Sequence, residues 1–151
     1  MFQRLAIFVL ISASLASARD LALVANKSNA LGVITIPDLV KVCKAQSNRW
    51  PDGKPITFIM RAPSAPEMKL VVEKIYGMSE EEVKSLIFTS NHGRPRPAIL
   101  VATSDEDLLD KVAAIPGAIG VVDVYAINSS VAVVKIAGKL PLEPGYLLHG
   151  N

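Results

Sequence analysis

The sequence predicts an α/β fold: a single-domain sandwich with one mixed sheet flanked by helices. Two observations predict it. Short apolar runs, such as Leu21–Ala25 and residues 119–124, alternate along the chain with segments of helical period. The helical segments open on capping residues and several close on glycine or proline, the punctuation expected of strands alternating with helices around one sheet. Composition agrees. Half of the 151 residues are apolar and 20% are charged, a balance that suits a packed core rather than a disordered chain. The formal charge of +2 provides no basic field for nucleic acid.

The first 18 residues read as a cleaved signal peptide. MFQRLAIFVLISASLASA has a basic start at Arg4, an apolar core from Leu5 to Leu15 and a small-x-small end at Ala16-Ser17-Ala18. The apolar core is shorter than the roughly 20 residues that span a bilayer. The mature chain then begins near Arg19, has no membrane span and is exported to the periplasm or beyond. Cys43 is the only cysteine, so no intramolecular disulfide is available. It reads as a buried small apolar residue on a helix.

Leu21–Ala25 is the first strand, bounded by Asn26-Lys27-Ser28-Asn29. Thr35 caps a helix that carries Pro37 and Asp38 in its first turn and ends near Gln46-Ser47-Asn48. Trp50-Pro51-Asp52-Gly53 is a tight turn into a strand over 55–60. Pro66 opens a helix that runs to Tyr76 and stops at Gly77. Ser79 and Glu82 form a capping box for a helix to about Ile87. Residues 91–97 lack periodicity and form a loop. Ile99–Ala102 is a short strand. Ser104 then caps a helix with Leu108, Leu109 and Val112 on one face, ended by Pro116-Gly117. Residues 119–124 are a central buried strand, and 131–136 look like its neighbour. The folded domain covers 19–138, and 139–151 form an apolar tail able to pack on the domain or on a partner.

Three stretches in this order carry a resemblance: IPDLVKVCKAQSNRWPDGKPI, then FIMRAPSAPEMKLVVEKIYGMS, then IPGAIGVVD. Over roughly residues 21–125 the chain resembles the phosphate-binding-protein-like domain of type II periplasmic solute-binding proteins, the substrate-binding components of phosphate ABC transporters, in a short form of one lobe. The resemblance implies a non-enzymatic exported protein that binds phosphate or a related oxyanion weakly, in phosphate transport or sensing, without a cofactor. It places the ligand at RAPSAPE, where the family has a loop like R-x-x-G-S-G-T. Arg61 and Ser64 match that pattern, and Ala65 stands at a glycine and offers its amide. Pro66 replaces the threonine, and Glu67 adds a repelling charge. Oxyanion binding by an arginine fork beside free amides at a helix start is sound chemistry.

The alternative is an accessory or protein-interaction module that keeps the fold without the ligand, pairing with an envelope protein or forming a homodimer. The family's first strand usually ends in a Gly/Ser/Thr-rich anion loop, for which Asn26-Lys27-Ser28-Asn29 is only a faint substitute. The basic loop 92–96 is a second candidate for anion contact, more simply a solvated connector. PGAIG reads chiefly as packing. No nucleophile elbow, P-loop or zinc-helix motif occurs, and His92 and His149 lie far apart in sequence.

Overall fold

The computed structural model describes residues 19–150, so the predicted signal peptide lies outside the described residues. Six strands form one mixed sheet. They are β1 (Leu21–Ala25), β2 (Val33–Ile34), β3 (Thr57–Arg61), β4 (Ile99–Ala102), β5 (Ala118–Asp123) and β6 (Ala132–Ile136). Their order is β2-β6-β1-β5-β3-β4. β3 runs parallel to both β4 and β5, and β1 runs antiparallel to both β5 and β6.

The strand predicted over 119–124 is β5, which is internal and buried from Ala118 to Val122, as its continuous apolar run predicts. The strand over 131–136 is not its neighbour. β6 pairs with β1 and β2, and β1 separates it from β5. Adjacency in sequence misleads here because the chain leaves β5 through a short helical turn at Val124–Ala126 and returns on the far side of β1. β2 has two residues, too few to leave a periodic signal.

Side chains of β1 alternate between two cores. Leu21, Leu23 and Ala25 join Phe58, Met60, Ile119 and Val121 on one face, while Ala22 and Val24 join Ile59 and Val122 on the other. The first face is covered by α1 (Ile36–Cys43) and by the helical segment 66–76, with α3 (Glu80–Asn91) beside them. α4 (Asp105–Ala114) covers the second.

The caps form as the sequence predicts. Thr35 accepts from the Asp38 amide, Ser79 and Glu82 make a reciprocal capping box, and Ser104 accepts from the Asp107 amide. α1 ends at Cys43, earlier than expected, and α3 runs on to Asn91. The Asn91 side chain explains that extension. It bonds Ala98, Ile99 and the Ile99 carbonyl, tying the helix end to β4.

The 66–76 segment is one helical run wound three ways: a tight turn at Pro66–Met68, α2 (Lys69–Val71), then a wide turn at Val72–Tyr76. The wide turn lets the consecutive residues Ile75 and Tyr76 both face the core. The Tyr76 hydroxyl donates to the Cys43 carbonyl at 2.7 Å. Burial pushes the Cys43 thiol far above its ordinary range, so it is an inert packing group.

Residues 139–150 pack on the domain. Leu148 is buried, the Tyr146 hydroxyl donates to the Leu21 carbonyl at 2.7 Å, and the Leu21 amide donates to the Leu148 carbonyl at 3.0 Å. The anchor is Asp20, whose side chain is only 3% exposed. It accepts from the amides of Leu142 and Gly150 and meets His149 Nδ1 at 2.8 Å. Burial alone would raise the Asp20 pKa. The Gly150 and Leu142 amides, then the His149 ring, outweigh it and hold the carboxyl below its ordinary value of 3.8.

A depressed acid stabilises the fold above its unfolded pKa, and that contribution is lost as pH falls through the folded value. Asp20→Asn is therefore expected to cost about 1.5–3 kcal/mol near neutral pH, the range for hydrogen bonds to a charged group. The gap from wild type should close as the pH drops below 3.8. Denaturant unfolding of both proteins at neutral and acid pH measures this, and a gap that does not change with pH would rule Asp20 out as the titrating anchor.

Candidate functional site

The strand directions decide which loops meet. β3, β4 and β5 are parallel, so their C-terminal ends share one edge of the sheet, and β1 starts there because it is antiparallel to β5. In α/β sheets this carboxyl edge is where ligands bind. RAPSAPE leaves β3 at this edge.

Arg61, the last residue of β3, pairs in register with Ala102, the last of β4. Its guanidinium is half-buried and donates to Asp105 Oδ1 at 3.2 Å. Asp105 is the first residue of α4. An arginine carries five donors, so this bond leaves others over for a second acceptor. Any anion at Arg61 must nevertheless compete with the Asp105 carboxylate.

The rest of the loop is less open than its sequence suggests. The Ala65 amide donates to the Ala62 carbonyl at 2.8 Å, closing a turn, and the Met68 amide then donates to the Ala65 carbonyl. Pro66 has no amide to offer. Ala65 is the residue before the first helical turn, and no side chain caps it, so Ser64 is not a helix cap. Ser64 and Glu67 are exposed, and Ala65 is partly buried.

Two sets of residues at this edge escaped sequence reasoning. One is the α4 start. Thr103 donates through its amide to Asp107 Oδ2 at 2.9 Å, and Asp107 also pairs with Lys111. The Lys111 ammonium, then the Thr103 amide, hold the Asp107 carboxyl below its ordinary range. The other is Arg19, two strand spacings from β3, roughly 10 Å. It bridges Asp123 at 3.5 Å and stacks over the exposed Tyr125 ring at 4.8 Å. The rule that strand ends gather at one edge could have raised all of these as candidates, had the strand directions been known.

The remaining candidate loops lie at the other edge. Ala25 and Phe58 both pair with Ile119, so the end of β1 sits beside the start of β3. Asn26-Lys27-Ser28-Asn29 therefore cannot join Arg61. Asn26 is a structural residue: its amide donates to the Val112 and Ala113 carbonyls at the end of α4 and accepts from Ser28. Loop 92–96 precedes β4 at that same far edge, where Arg94 bonds Asn48. Among the described residues no cluster of His, Cys, Asp and Glu is placed to hold a metal, and no helix is long and apolar enough to cross a membrane.

No protein-family model and no curated protein matches the chain. Solved structures do. An ABC-type phosphate transport receptor from Vibrio cholerae superposes with a TM-score of 0.71 at 17% identity, over 89% of this chain and 55% of that one. PstS from Borrelia burgdorferi gives 0.68 at 14% identity, over 89% and 56%. A phosphate-binding protein from Stenotrophomonas maltophilia gives 0.61 at 17% identity, over 83% and 41%. The chain spans about half the length of the structures it matches. It has the fold of these phosphate-binding proteins, in the extent of a single lobe.

Proposed function

We propose that this domain is a non-enzymatic, exported solute-binding-like protein that binds phosphate or a related oxyanion weakly, in phosphate transport or sensing. The observation that carries the reading is Arg61. Its guanidinium stands at the carboxyl edge of a sheet whose fold is that of phosphate transport receptors, with the exposed Ser64 three residues on. In this reading Arg61 grips the oxyanion and Ser64 donates through its hydroxyl. Ala65 contributes its amide once the turn bond to Ala62 opens.

Weak affinity follows from the competing Asp105, the engaged Ala65 amide and the missing donor at Pro66. The expected dissociation constant is about 10 µM to 1 mM, a binding free energy of about 4–7 kcal/mol. Calorimetric titration with phosphate and sulfate at fixed ionic strength tests this. Phosphate at 100 times that constant should stabilise the protein by about 2.7 kcal/mol. No heat and no thermal shift at about 10 mM of either anion would sink the binding reading. The same observations on Asp105 and Ala65 would then favour the second reading, an accessory module that keeps the fold and meets an envelope protein or a second copy of itself.

Export rests on the leader-like residues 1–18 and on the likeness to transport receptors. Protein purified from its native envelope is expected to begin at or near Arg19. Intact mass showing Met1 retained would overturn that.

A further inference from the structure

A cleft of about 400 Å³ lies at the edge of the sheet away from Arg61, between β2, α1 and the turn that carries Trp50. A second, of about 190 Å³, adjoins it, and Leu31, Trp50 and Pro51 line both. The Trp50 indole is locked by its bond to the Gly117 carbonyl at 2.8 Å, so the shared wall is rigid and apolar. The volume is that of a small-molecule site.

The polar groups around this wall are uneven. Lys41 and Arg49 line the larger cleft against one carboxylate, Asp38, which leaves one net positive charge. The Arg49 guanidinium gives a single bond, to the Gly53 carbonyl, and the Lys41 ammonium makes no hydrogen bond or ion pair among the described residues. The smaller cleft is lined by Asn29, which is 7% exposed, and by Asp52, whose charge is met by Lys54 Nζ at 3.1 Å. The Asn29 Nδ2 is the one buried side-chain nitrogen or oxygen among the described residues without a partner. Native interiors rarely leave such a donor unpaired, and here the residue that carries it lines a cavity. An amide turned end for end keeps its shape and brings the donor to where the oxygen stood.

We infer that the joined clefts bind a small amphipathic monocarboxylate that carries a carbonyl oxygen, of the N-acyl amino acid type. Its carboxylate lies between Lys41 and Arg49, its apolar side chain rests on Leu31, Trp50 and Pro51, and its acyl oxygen accepts from Asn29. Asp38 selects against a second negative charge. The site is separate from Arg61 and does not depend on phosphate binding.

Trp50 is the only tryptophan in the chain, so its fluorescence reports this cleft directly. The purified protein is titrated with N-acetyl-L-leucine, read by Trp50 emission and by calorimetry in parallel. A saturable change is expected. N-acetyl-L-leucinamide, nearly the same shape without the charge, should bind at least about tenfold more weakly, because the charge-assisted bonds are lost. The double variant K41Q/R49Q should lose a similar factor. Asn29→Ala should weaken the acid several-fold without lowering Tm, since it removes a donor that bonds nothing in the free protein. Arg61→Ala should leave the titration unchanged. The inference is overturned if neither readout saturates, if acid and amide bind equally, or if Asn29→Ala leaves the affinity as it was.

Discussion

Gly117→Ala is expected to be among the most damaging single substitutions in this domain. Gly117 adopts φ +83°, in the left-handed region, and a Cβ there would lie 2.1 Å from the Pro55 carbonyl oxygen. The left-handed backbone costs an L-residue about 1–2 kcal/mol. Overpacking against backbone costs about 1–3 kcal/mol more. The sum, about 2–5 kcal/mol, corresponds to a fall in Tm of roughly 8–20 °C for a domain of this size. The same carbonyl that receives the Trp50 indole belongs to Gly117, so a shift there also disturbs the wall of the cleft. Gly120 is tight as well: a Cβ would stand 3.0 Å from both the Ile59 carbonyl oxygen and a Val112 methyl. PGAIG is thus a packing motif at the mouth of β5, on the edge away from Arg61. Thermal unfolding of Gly117→Ala checks this, and a Tm within a degree or two of wild type would contradict the close approach to Pro55.

The second large effect concerns binding. Arg61→Ala is expected to abolish measurable phosphate binding. A hydrogen bond to a charged group contributes about 1.5–3 kcal/mol, a factor of roughly ten to one hundred, which carries an already weak site out of range. Its cost in stability is small, because a part-exposed pair such as Arg61–Asp105 is worth at most about 1 kcal/mol. Asp105→Asn should act in the opposite direction. It removes the carboxylate that competes for the guanidinium, and a gain of about two- to fivefold in phosphate affinity is expected from the strength of such pairs. The two variants together separate a ligand site from a structural ion pair. If Arg61 serves only to tie β3 to α4, neither variant changes the response to phosphate. Calorimetry on all three proteins at one ionic strength decides between these outcomes.

Much of the fold was legible because its signals are local. A cap works through residues three apart, so Thr35, Ser79 and Ser104 could be read off directly. Strand β1 and strand β5 announce themselves as short continuous apolar runs because both of their faces are buried. Arg61 at the end of its strand was legible for the same reason. The resemblance in three ordered stretches pointed to the phosphate-receptor fold, which the superpositions bear out.

What the tertiary structure alone decided is which of these local pieces meet. Strand order is a non-local choice: β6 passes over β1 to lie beside β2, and nothing in residues 131–136 encodes that partner. Strand direction then sorts the loops. Because β1 runs against β5, the Asn26–Asn29 turn falls on the far edge, while Arg19 and Asp20 arrive at the near one. Asp105 lies 44 positions from the arginine it holds, and Asp20 lies 130 from the Gly150 amide that anchors the tail. Composition and periodicity determine elements through neighbours a few residues away. Pairs at such separations are set by the packing of the two faces of the sheet, and only the folded chain reveals them.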